Sequence, residues 1–485
     1  MDINKLASED PLIRIEPKRL DNSTIRYVTF NVNGIKTLCN YHPWNKIDQD
    51  YNAMFNLLKA DIITLQELKL SNSNISTIKN IGHLTNYKSF ITLPRIKRGY
   101  SGVGLFIRIP KSHEPLSVQR ALTVIKAEEG LTGYLKSSNG QSYRDLPSDD
   151  HIGGYSNELN EEMGLQLDEQ GRCIVIELAN NVVIFALYCP ANSGGTEEGE
   201  IYRIKFLQTL LQRCHNLKFN LGKEVIIMGD INVCLDLIDS AETMADKIKQ
   251  NSVKPIVGTD GLAFESINYE ECQNFKRIST QARVLLNKYT IPQIHFHMKG
   301  DTYPSEVKQL SFLYDTTRYI LGRKMNIYTV WNTLTNSRAV NYGSRIDLIL
   351  ASSYNMVKNI SNANIWPFIL GSDHCPVFTD FDVFDKEDNG QPIPIVKKLG
   401  FEAKYFHKLT QMKDIASMFT RVKSSPSTSS LNSTDSSTST PDPEPQSQPE
   451  AQIKRPKLQY VSRKKQKTSV EESKKSIANY FSTNK

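Results

Sequence analysis

The stretch Gly371-Ser372-Asp373-His374-Cys375-Pro376 lies directly before Val377–Phe381, a short run rich in β-branched and aromatic residues that is typical of a strand. Ser344-Arg345-Ile346-Asp347 precedes it by about one strand, a turn and a second strand. The earlier Asp can accept a hydrogen bond from the imidazole, which titrates near neutral pH. Carboxylates at strand ends also hold hard cations. The pattern therefore predicts an acid–imidazole site between strands, suited to metal-assisted attack on a phosphate.

Three upstream stretches place further polar residues at the ends of apolar runs. Phe30-Asn31-Val32-Asn33-Gly34 follows one run, Ile62-Ile63-Thr64-Leu65-Gln66-Glu67 ends a second in a carboxylate, and Ile226-Ile227-Met228-Gly229-Asp230-Ile231-Asn232 follows a third. Taken alone, each also fits an ordinary strand-to-loop turn, because Asn, Asp and Gly favour turns. Ends of central strands converge on one edge of a sandwich. We therefore expect a common cleft lined by Asn31, Glu67, Tyr188, Asp230, Asn232, Asp347 and His374.

Short β-branched and aromatic runs alternate with amphipathic stretches along the chain. The predicted strands are Ile25–Phe30, Ile62–Gln66, Gly102–Arg108, Cys173–Leu178, Val182–Tyr188, Glu224–Met228, Arg345–Leu350 and Val377–Phe381. Trp44–Leu58 and Glu197–Cys214 have near-helical spacing of apolar residues. This mixture predicts an α/β sandwich of two packed sheets with outer helices.

Composition argues against a membrane-spanning or secreted protein. The chain has 485 residues, 39% of them hydrophobic, and lacks any run of about 18 apolar residues. We therefore expect no membrane partner, and the polar N-terminus predicts no secretory signal. The seven cysteines form no CxxC pair, which is typical of reduced thiols in an intracellular protein.

The chain is predicted to contain three parts: an N-terminal extension at 1–23, a catalytic domain at 24–390 and a basic tail at 391–485. In residues 424–450, 19 of the 27 residues are Ser, Thr or Pro, which predicts disorder. Residues 401–485 hold 15 Lys/Arg and 8 Asp/Glu, a net charge of +7, so the first 400 residues are neutral overall. An anion-binding face on the catalytic domain must therefore arise from local arrangement.

These motifs together resemble the endonuclease–exonuclease–phosphatase superfamily and, within it, the exonuclease III branch of abasic-site (AP) endonucleases. The stretches that carry the resemblance are Phe30–Ile35, Leu65–Lys69, Tyr100–Gly104, Gly229–Val233 and Arg345–Asp347. Residues 128–133, 168–173 and 188–190 look most like the second eukaryotic AP endonuclease type, which joins this domain to a clamp-binding tail.

The resemblance implies a four-layer α/β sandwich that uses Mg²⁺, with Mn²⁺ as the alternative. It implies that Glu67 ligates the metal, that Asp230 orients and activates water, and that His374, supported by Asp347, contacts the scissile phosphoryl group. The other implied metal-site residues are Asn33, Asp230, Asn232, Asp373 and His374. The other implied phosphate contacts are Tyr188, Asn31, Asn232, Asn192 and Arg345.

The implied activities are cleavage 5′ to an abasic site, removal of 3′ blocking groups and 3′→5′ exonuclease action on double-stranded DNA. The implied protein is a monomer in the nucleus. Inositol-phosphate phosphatases and RNA deadenylases share the Gly-Asp and Ser-Asp-His elements, so they stay as alternatives. A weakly catalytic, clamp-bound interaction protein is the hypothesis from a different class.

The tail contains a short pattern at 474–481. Lys474-x-x-Ile477-x-x-Tyr480-Phe481 resembles a peptide that binds the sliding clamp (PCNA), with Lys in place of the usual Gln. One aliphatic and two aromatic residues on a single turn can fill an apolar pocket. Met412–Phe419 is a second candidate with similar spacing, which also fits the end of an amphipathic helix. Basic clusters at 454–457 and 463–467 suit nuclear import or phosphate contact.

Overall fold

The computed structural model describes residues 14–18, 23–71, 73–96, 100–293, 310–383, 393–394 and 397–409. Fourteen strands lie within these ranges: β1 (Thr24–Asn31), β2 (Ile62–Gln66), β3 (Tyr87–Thr92), β4 (Val103–Arg108), β5 (Val124–Glu129), β6 (Cys173–Leu178), β7 (Val182–Tyr188), β8 (Glu224–Asp230), β9 (Tyr314–Asp315), β10 (Val330–Trp331), β11 (Gly343–Ser344), β12 (Asp347–Ala351), β13 (Ile360–Ile365) and β14 (Val377–Asp382). Twelve of them form two six-stranded sheets, ordered β13-β14-β1-β2-β4-β3 and β5-β6-β7-β8-β12-β9. Both sheets are mixed, since β1–β2 and β7–β8 are parallel and their other neighbours are antiparallel.

Helices flank the two sheets. Their bounds are Ile35–Leu38, Tyr51–Leu57, Ile75–Gly82, Leu116–Leu122, Glu161–Asp168, Glu197–Phe219, Ala241–Lys249, Gly261–Ile267, Tyr269–Arg277, Gln281–Tyr289, Thr316–Leu321, Tyr354–Val357 and Ala403–Phe406. No helix in the described ranges is both long enough and apolar enough to cross a membrane.

The side chains along each strand point alternately to the two faces of its sheet, and this alternation separates three hydrophobic layers. In β8, Ile226 and Met228 belong to a cluster shared by both sheets, whereas Ile227 packs with the helix Glu197–Phe219. In β2, Ile62 faces the shared cluster and Ile63 faces the outer helices of the other sheet. Successive side chains of a strand point to opposite faces, so each central strand is covered on both sides. The predicted four-layer sandwich is confirmed.

The predicted helix Trp44–Leu58 is interrupted. A short 3₁₀ turn covers Trp44–Lys46, and the α-helix begins at Tyr51 after Asp50 accepts a hydrogen bond from the Ala53 amide. Asp48 and Gln49 between them have positive φ angles of 43° and 58°, which an α-helix does not allow. The predicted helix Glu197–Cys214 instead continues to Phe219.

The chain after the predicted domain boundary returns to the sandwich. Phe401 and Leu409 are buried, and Phe90 of β3 forms an antiparallel bridge with Glu402. His407 Nε2 lies 3.1 Å from the Ile91 carbonyl oxygen. Residues 397–409 thus pack on an edge strand, whereas the sequence analysis assigned them to the tail. Most of the N-terminal extension and the predicted clamp-binding residues Ile477, Tyr480 and Phe481 lie outside the described residues.

Candidate active site

The strand ends predicted to converge lie at one edge of the sandwich. In the β-ladders of one sheet, Asp230 pairs with Tyr188 on one side and with Asp347 on the other. Asn31, at the end of β1 in the second sheet, donates through Nδ2 to Asp230 Oδ2 at 2.9 Å and to Glu67 Oε1 at 3.0 Å. One amide group therefore joins the two sheets at the site.

His374 lies between two carboxylates. Its Nδ1 is 2.9 Å from Asp347 Oδ2, and its Nε2 is 3.9 Å from Asp230 Oδ2. Burial lowers the pKa of His374, but the charge and hydrogen bond of Asp347, together with the charges of Asp230 and Asp373, outweigh burial and raise it to about 10. The ring is therefore an imidazolium at neutral pH, and its Nε2–H is a hydrogen-bond donor.

The pKa of Asp230 lies near neutral pH, unlike that of His374. Burial and then the charge of Asp347 raise the pKa of Asp230 to about 7, although the charge of His374 and a hydrogen bond from Asn31 oppose the shift. The backbone N–H of Asn232 also donates to Asp230 Oδ1 at 3.0 Å. A carboxylate poised near neutral pH can accept a proton from water and release it again.

Glu67 has an unusual backbone conformation. Its φ angle is 51°, in the left-handed region, directly after the end of β2. Its Oε2 lies 3.1 Å from Lys69 Nζ, and the Tyr188 hydroxyl also hydrogen-bonds to Glu67. Burial, followed by the charges of Glu67 and Asp230, raises the pKa of Tyr188, so the phenol stays protonated and donates.

The site has the oxygen donors that a hard divalent cation requires. Asp230 and Asp347 offer carboxylate oxygens within 4.8 Å of each other, whereas His374 in the same cluster is protonated and offers a donor. Asn31 Nδ2 connects Asp230 to a third carboxylate, that of Glu67. Among the described residues, the buried Oδ1 of Asp347 has no hydrogen-bond partner. Buried carboxylates without sufficient positive charge are unfavourable, and oxygen ligands suit Mg²⁺ and Mn²⁺. The residues present therefore fit a metal of this class.

Asn33 and Asp373 form a second hydrogen-bonded pair, which Lys69 connects to Glu67. Asn33 has a φ angle of 46° and donates from Nδ2 to Asp373 Oδ1 at 2.9 Å, while Lys69 Nζ donates to Asn33 Oδ1. The Ser372 hydroxyl donates to the Asn31 carbonyl at 2.7 Å and accepts from the His374 amide at 3.1 Å. The turn that carries Asp373 and His374 is therefore tied directly to β1.

Arg345 is not in the cleft, contrary to the predicted phosphate contact. It is buried, its Nε and Nη2 donate to Asp239 at 2.8 and 3.0 Å, and its Nη1 lies 2.8 Å from Asp315 Oδ2. The buried guanidinium is held between the carboxylates of Asp239 and Asp315, so Arg345 stabilises the segment that leads into β12.

Asn192 makes local hydrogen bonds. Its Nδ2 donates to the Thr196 carbonyl at 3.1 Å, and its Oδ1 accepts from the Thr196 amide at 3.2 Å. The side chain is thus held within the loop before the helix Glu197–Phe219, and its phosphate contact stays a prediction. Asn232 remains beside Asp230, with its Nδ2 donating to the Cys189 carbonyl at 2.9 Å.

Sequence reasoning overlooked two contributors. Lys69 belongs to the Leu65–Lys69 motif, but only the fold shows that its ammonium group contacts both Glu67 and Asn33. Thr329 has no motif at all. Its hydroxyl accepts from the Asp347 amide at 3.2 Å and its carbonyl accepts from the Cys375 amide at 2.8 Å, so it connects the two segments that form the His–Asp pair.

Comparisons with known proteins agree with this geometry. Residues 28–374 match the model of the Endonuclease/Exonuclease/phosphatase family. The chain is 42% identical over 411 residues to "DNA-(apurinic or apyrimidinic site) endonuclease 2" of Saccharomyces cerevisiae, covering 82% of this chain and 74% of that protein. It is 29% identical to the Schizosaccharomyces pombe protein of the same name, covering 73% of this chain but only 58% of that relative.

A solved structure, the Xenopus laevis APE2 catalytic domain, also resembles the fold. The TM-score is 0.55 at 25% identity, and the alignment covers 79% of this chain and 97% of that one. The chain therefore belongs to the endonuclease/exonuclease/phosphatase family, and within that family it groups with the AP endonuclease 2 proteins.

Proposed function

We propose that this protein is a metal-dependent nuclease of DNA base-excision repair, which hydrolyses phosphodiesters at abasic sites and trims blocked or recessed 3′ ends. The observation that carries the proposal is the pair formed by the cationic His374 and Asp347, which lies beside Asp230, with His374 Nε2 3.9 Å from Asp230 Oδ2. The identity to AP endonuclease 2 of Saccharomyces cerevisiae supports abasic DNA as the substrate.

The proposed reaction separates the roles of the two titrating groups. Asp230 orients the attacking water and takes its proton, because its pKa of about 7 leaves it partly ionised at neutral pH. His374 donates from Nε2 to a phosphoryl oxygen as negative charge builds up there. Tyr188 and Asn232 hold the same phosphate, and Asn31 keeps Asp230 in place through its 2.9 Å hydrogen bond. In-line attack forms the new P–O bond and breaks the P–O3′ bond, and the released 3′ oxygen takes a proton from solvent to give a 3′-hydroxyl that a polymerase can extend.

We propose Glu67 as the main metal ligand, with Asp373 and the Asn33 side chain close by. A bound Mg²⁺ or Mn²⁺ supplies positive charge at the phosphoryl oxygens and the leaving group. His374 is excluded from the ligand set in this proposal, because Asp347 occupies its Nδ1 and the ring is protonated. The positive charge of His374 therefore suits a hydrogen-bond donor and not a metal ligand.

The proposed partners beyond DNA follow from the tail. We propose that Ile477, Tyr480 and Phe481 bind the sliding clamp. The basic clusters are proposed to direct the protein to the nucleus. The protein is proposed to act as a monomer. A clamp contact would bring the nuclease to newly made 3′ ends. These tail segments lie outside the described residues, so their sequence alone supports this part of the proposal.

The test uses three labelled duplexes, which carry an abasic site, a 3′-blocked nick or a recessed 3′ end. The purified protein is incubated with each in Mg²⁺, Mn²⁺ or EDTA, and products are separated on a sequencing gel. We expect cutting 5′ to the abasic site and 3′ trimming in either metal, and neither in EDTA. Activity only on polyadenylated RNA or inositol phosphates would contradict the proposal and favour the alternatives on the same fold.

A further inference from the structure

Arg338 donates five hydrogen bonds, all to main-chain carbonyl oxygens of the segment that carries Asp373 and His374. Nε and Nη2 donate to Pro367 O at 3.2 and 3.0 Å, and Nη2 also donates to Ile369 O at 2.7 Å. Nη1 donates to Ser372 O at 2.9 Å and to His374 O at 3.4 Å. The planar guanidinium thus joins four points along the loop between β13 and β14.

A short strand holds the same turn from a second direction. The Trp331 amide donates to Asp373 O at 3.0 Å, and Val330 forms an antiparallel bridge with His374. The guanidinium carbon of Arg338 lies 4.5 Å from the centroid of the Trp331 ring. Arg338 therefore packs on the strand that pairs with the turn while its nitrogens bind the turn itself.

The guanidinium of Arg338 is half-buried. Desolvation lowers its pKa, and the nearby Cys375 and Asp373 oppose that shift, although among the described residues no carboxylate forms an ion pair with it. Its five hydrogen bonds all go to carbonyl groups at the site, two of which belong to Ser372 and His374.

We propose that Arg338 is a positioning residue for the phosphodiester hydrolysis, and that it sets the place of His374 and Asp373 by fixing the carbonyls of their turn. The inference rests on the proposed function of this site. Without the guanidinium, the turn keeps its strand pairing but loses the contacts at Pro367, Ile369 and Ser372, so the imidazole moves relative to Asp347 and Asp230. A displacement of about 1 Å in a catalytic group costs roughly 100-fold in rate.

The experiment compares Arg338→Gln, Arg338→Lys and the control Arg277→Gln, which alters an exposed arginine of the helix Tyr269–Arg277. Single-turnover rates and KM are measured on the abasic duplex and on bis(p-nitrophenyl) phosphate, with Tm and duplex affinity alongside. For Arg338→Gln we expect a loss of about 100-fold in rate, a KM within about 3-fold of wild type and unchanged duplex affinity. Arg338→Lys should recover part of the rate, because its ammonium can reach some of the carbonyls but lacks the planar set of N–H donors of the guanidinium.

A rate for Arg338→Gln within about 3-fold of wild type would overturn the inference. So would equal losses in rate, affinity and Tm that Arg338→Lys does not relieve, since these indicate a general folding role. If Arg338→Gln does not fold, the folded Arg338→Lys variant decides. Full activity of Arg338→Lys overturns the requirement for the planar guanidinium, and an intermediate rate supports that requirement.

Failure of the proposed function can be told apart from failure of this inference. A wild-type protein that hydrolyses bis(p-nitrophenyl) phosphate but no DNA refutes the DNA substrate, while the variant-to-wild-type ratio still tests Arg338. If neither compound is hydrolysed, long-range ¹H–¹⁵N spectra of the histidine rings decide. The inference requires the His374 signals to move in Arg338→Gln while those of the distant His215 stay, and unmoved His374 signals overturn it.

Discussion

Replacing Asp347 by Asn removes the charge that keeps His374 protonated. The variant keeps the side-chain shape and one oxygen that can accept from Nδ1, now 2.9 Å from Asp347 Oδ2. Burial lowers the pKa of His374, and Asp347 is the leading group that raises it to about 10. Without that charge the pKa should fall to its ordinary value of about 6.5 or below.

The size of the effect depends on pH. At pH 8.0, a pKa of about 6.5 leaves roughly 3% of the rings protonated, so the rate of the chemical step should fall about 30-fold. At pH 6.0 most rings regain the proton, and the loss should shrink to a few-fold. Asp347 also raises the pKa of Asp230, so the variant keeps Asp230 ionised at the lower pH and does not mask this recovery.

The assay is single-turnover cleavage of a fluorescent abasic duplex in saturating Mg²⁺ from pH 5.5 to pH 9.0. Asp246→Asn, at an exposed position, is the matched control and should follow wild type throughout. The account requires the ratio of wild type to Asp347→Asn to grow about tenfold per pH unit above the new pKa of His374. A ratio that is the same at pH 6.0 and pH 8.0 would refute the reasoning, because Asp347 would then act without controlling a proton.

Three further predictions follow from other groups. Asp230→Asn should abolish single-turnover cleavage and leave duplex affinity within about twofold, since it removes the proton acceptor but keeps the hydrogen-bonding shape; measurable turnover close to wild type would exclude Asp230 as the base. Burial raises the pKa of Asp168 from 3.8 to about 6, so the stability from its bound proton is complete below about pH 4 and lost as the pH rises to 6. The free energy of unfolding of Asp168→Asn relative to wild type should therefore rise by about 3 kcal/mol between pH 4 and pH 7.5, and urea titrations that give a constant difference would contradict this. Deleting 474–485 should weaken binding to the sliding clamp, measured by calorimetry, without changing cleavage of short duplexes; unchanged clamp affinity would exclude this peptide as the main contact.

The central strands could be predicted because their sequences are distinctive. Ile62–Gln66, Cys173–Leu178 and Val182–Tyr188 have the same bounds in the structure as in the prediction. Each is an apolar run covered on both faces and bounded by turn residues. Six of the described strands were missed. Four of them lie at the edges of the two large sheets, namely Tyr87–Thr92, Val124–Glu129, Tyr314–Asp315 and Ile360–Ile365, and the other two, Val330–Trp331 and Gly343–Ser344, are only two residues long. In Tyr87–Thr92 and Val124–Glu129 a half-buried lysine also breaks the apolar pattern.

Site residues at strand ends could be predicted for a similar reason. Asn31, Glu67, Asp230 and Asp347 each lie at or next to the end of a strand, and this position alone brings them to one edge of the sandwich. The role of Arg345 could not be read locally, because its partner Asp239 is 106 residues away and decides that the guanidinium is buried. The same holds for Arg338, whose acceptors lie about 30 residues further along the chain. Long-range pairing of charged groups is the information that the sequence pattern lacks.

The measurement that tests the central claim most directly is isotope transfer from solvent. The abasic duplex is cleaved in H₂¹⁸O with Mg²⁺, and the 5′-phosphate of the product is analysed by mass spectrometry. Hydrolysis by a water that Asp230 activates places one ¹⁸O atom in that phosphate and leaves a 3′-hydroxyl on the other fragment. Cleavage without ¹⁸O in the phosphate, or product formation that continues undiminished in Asp230→Asn, would contradict the account.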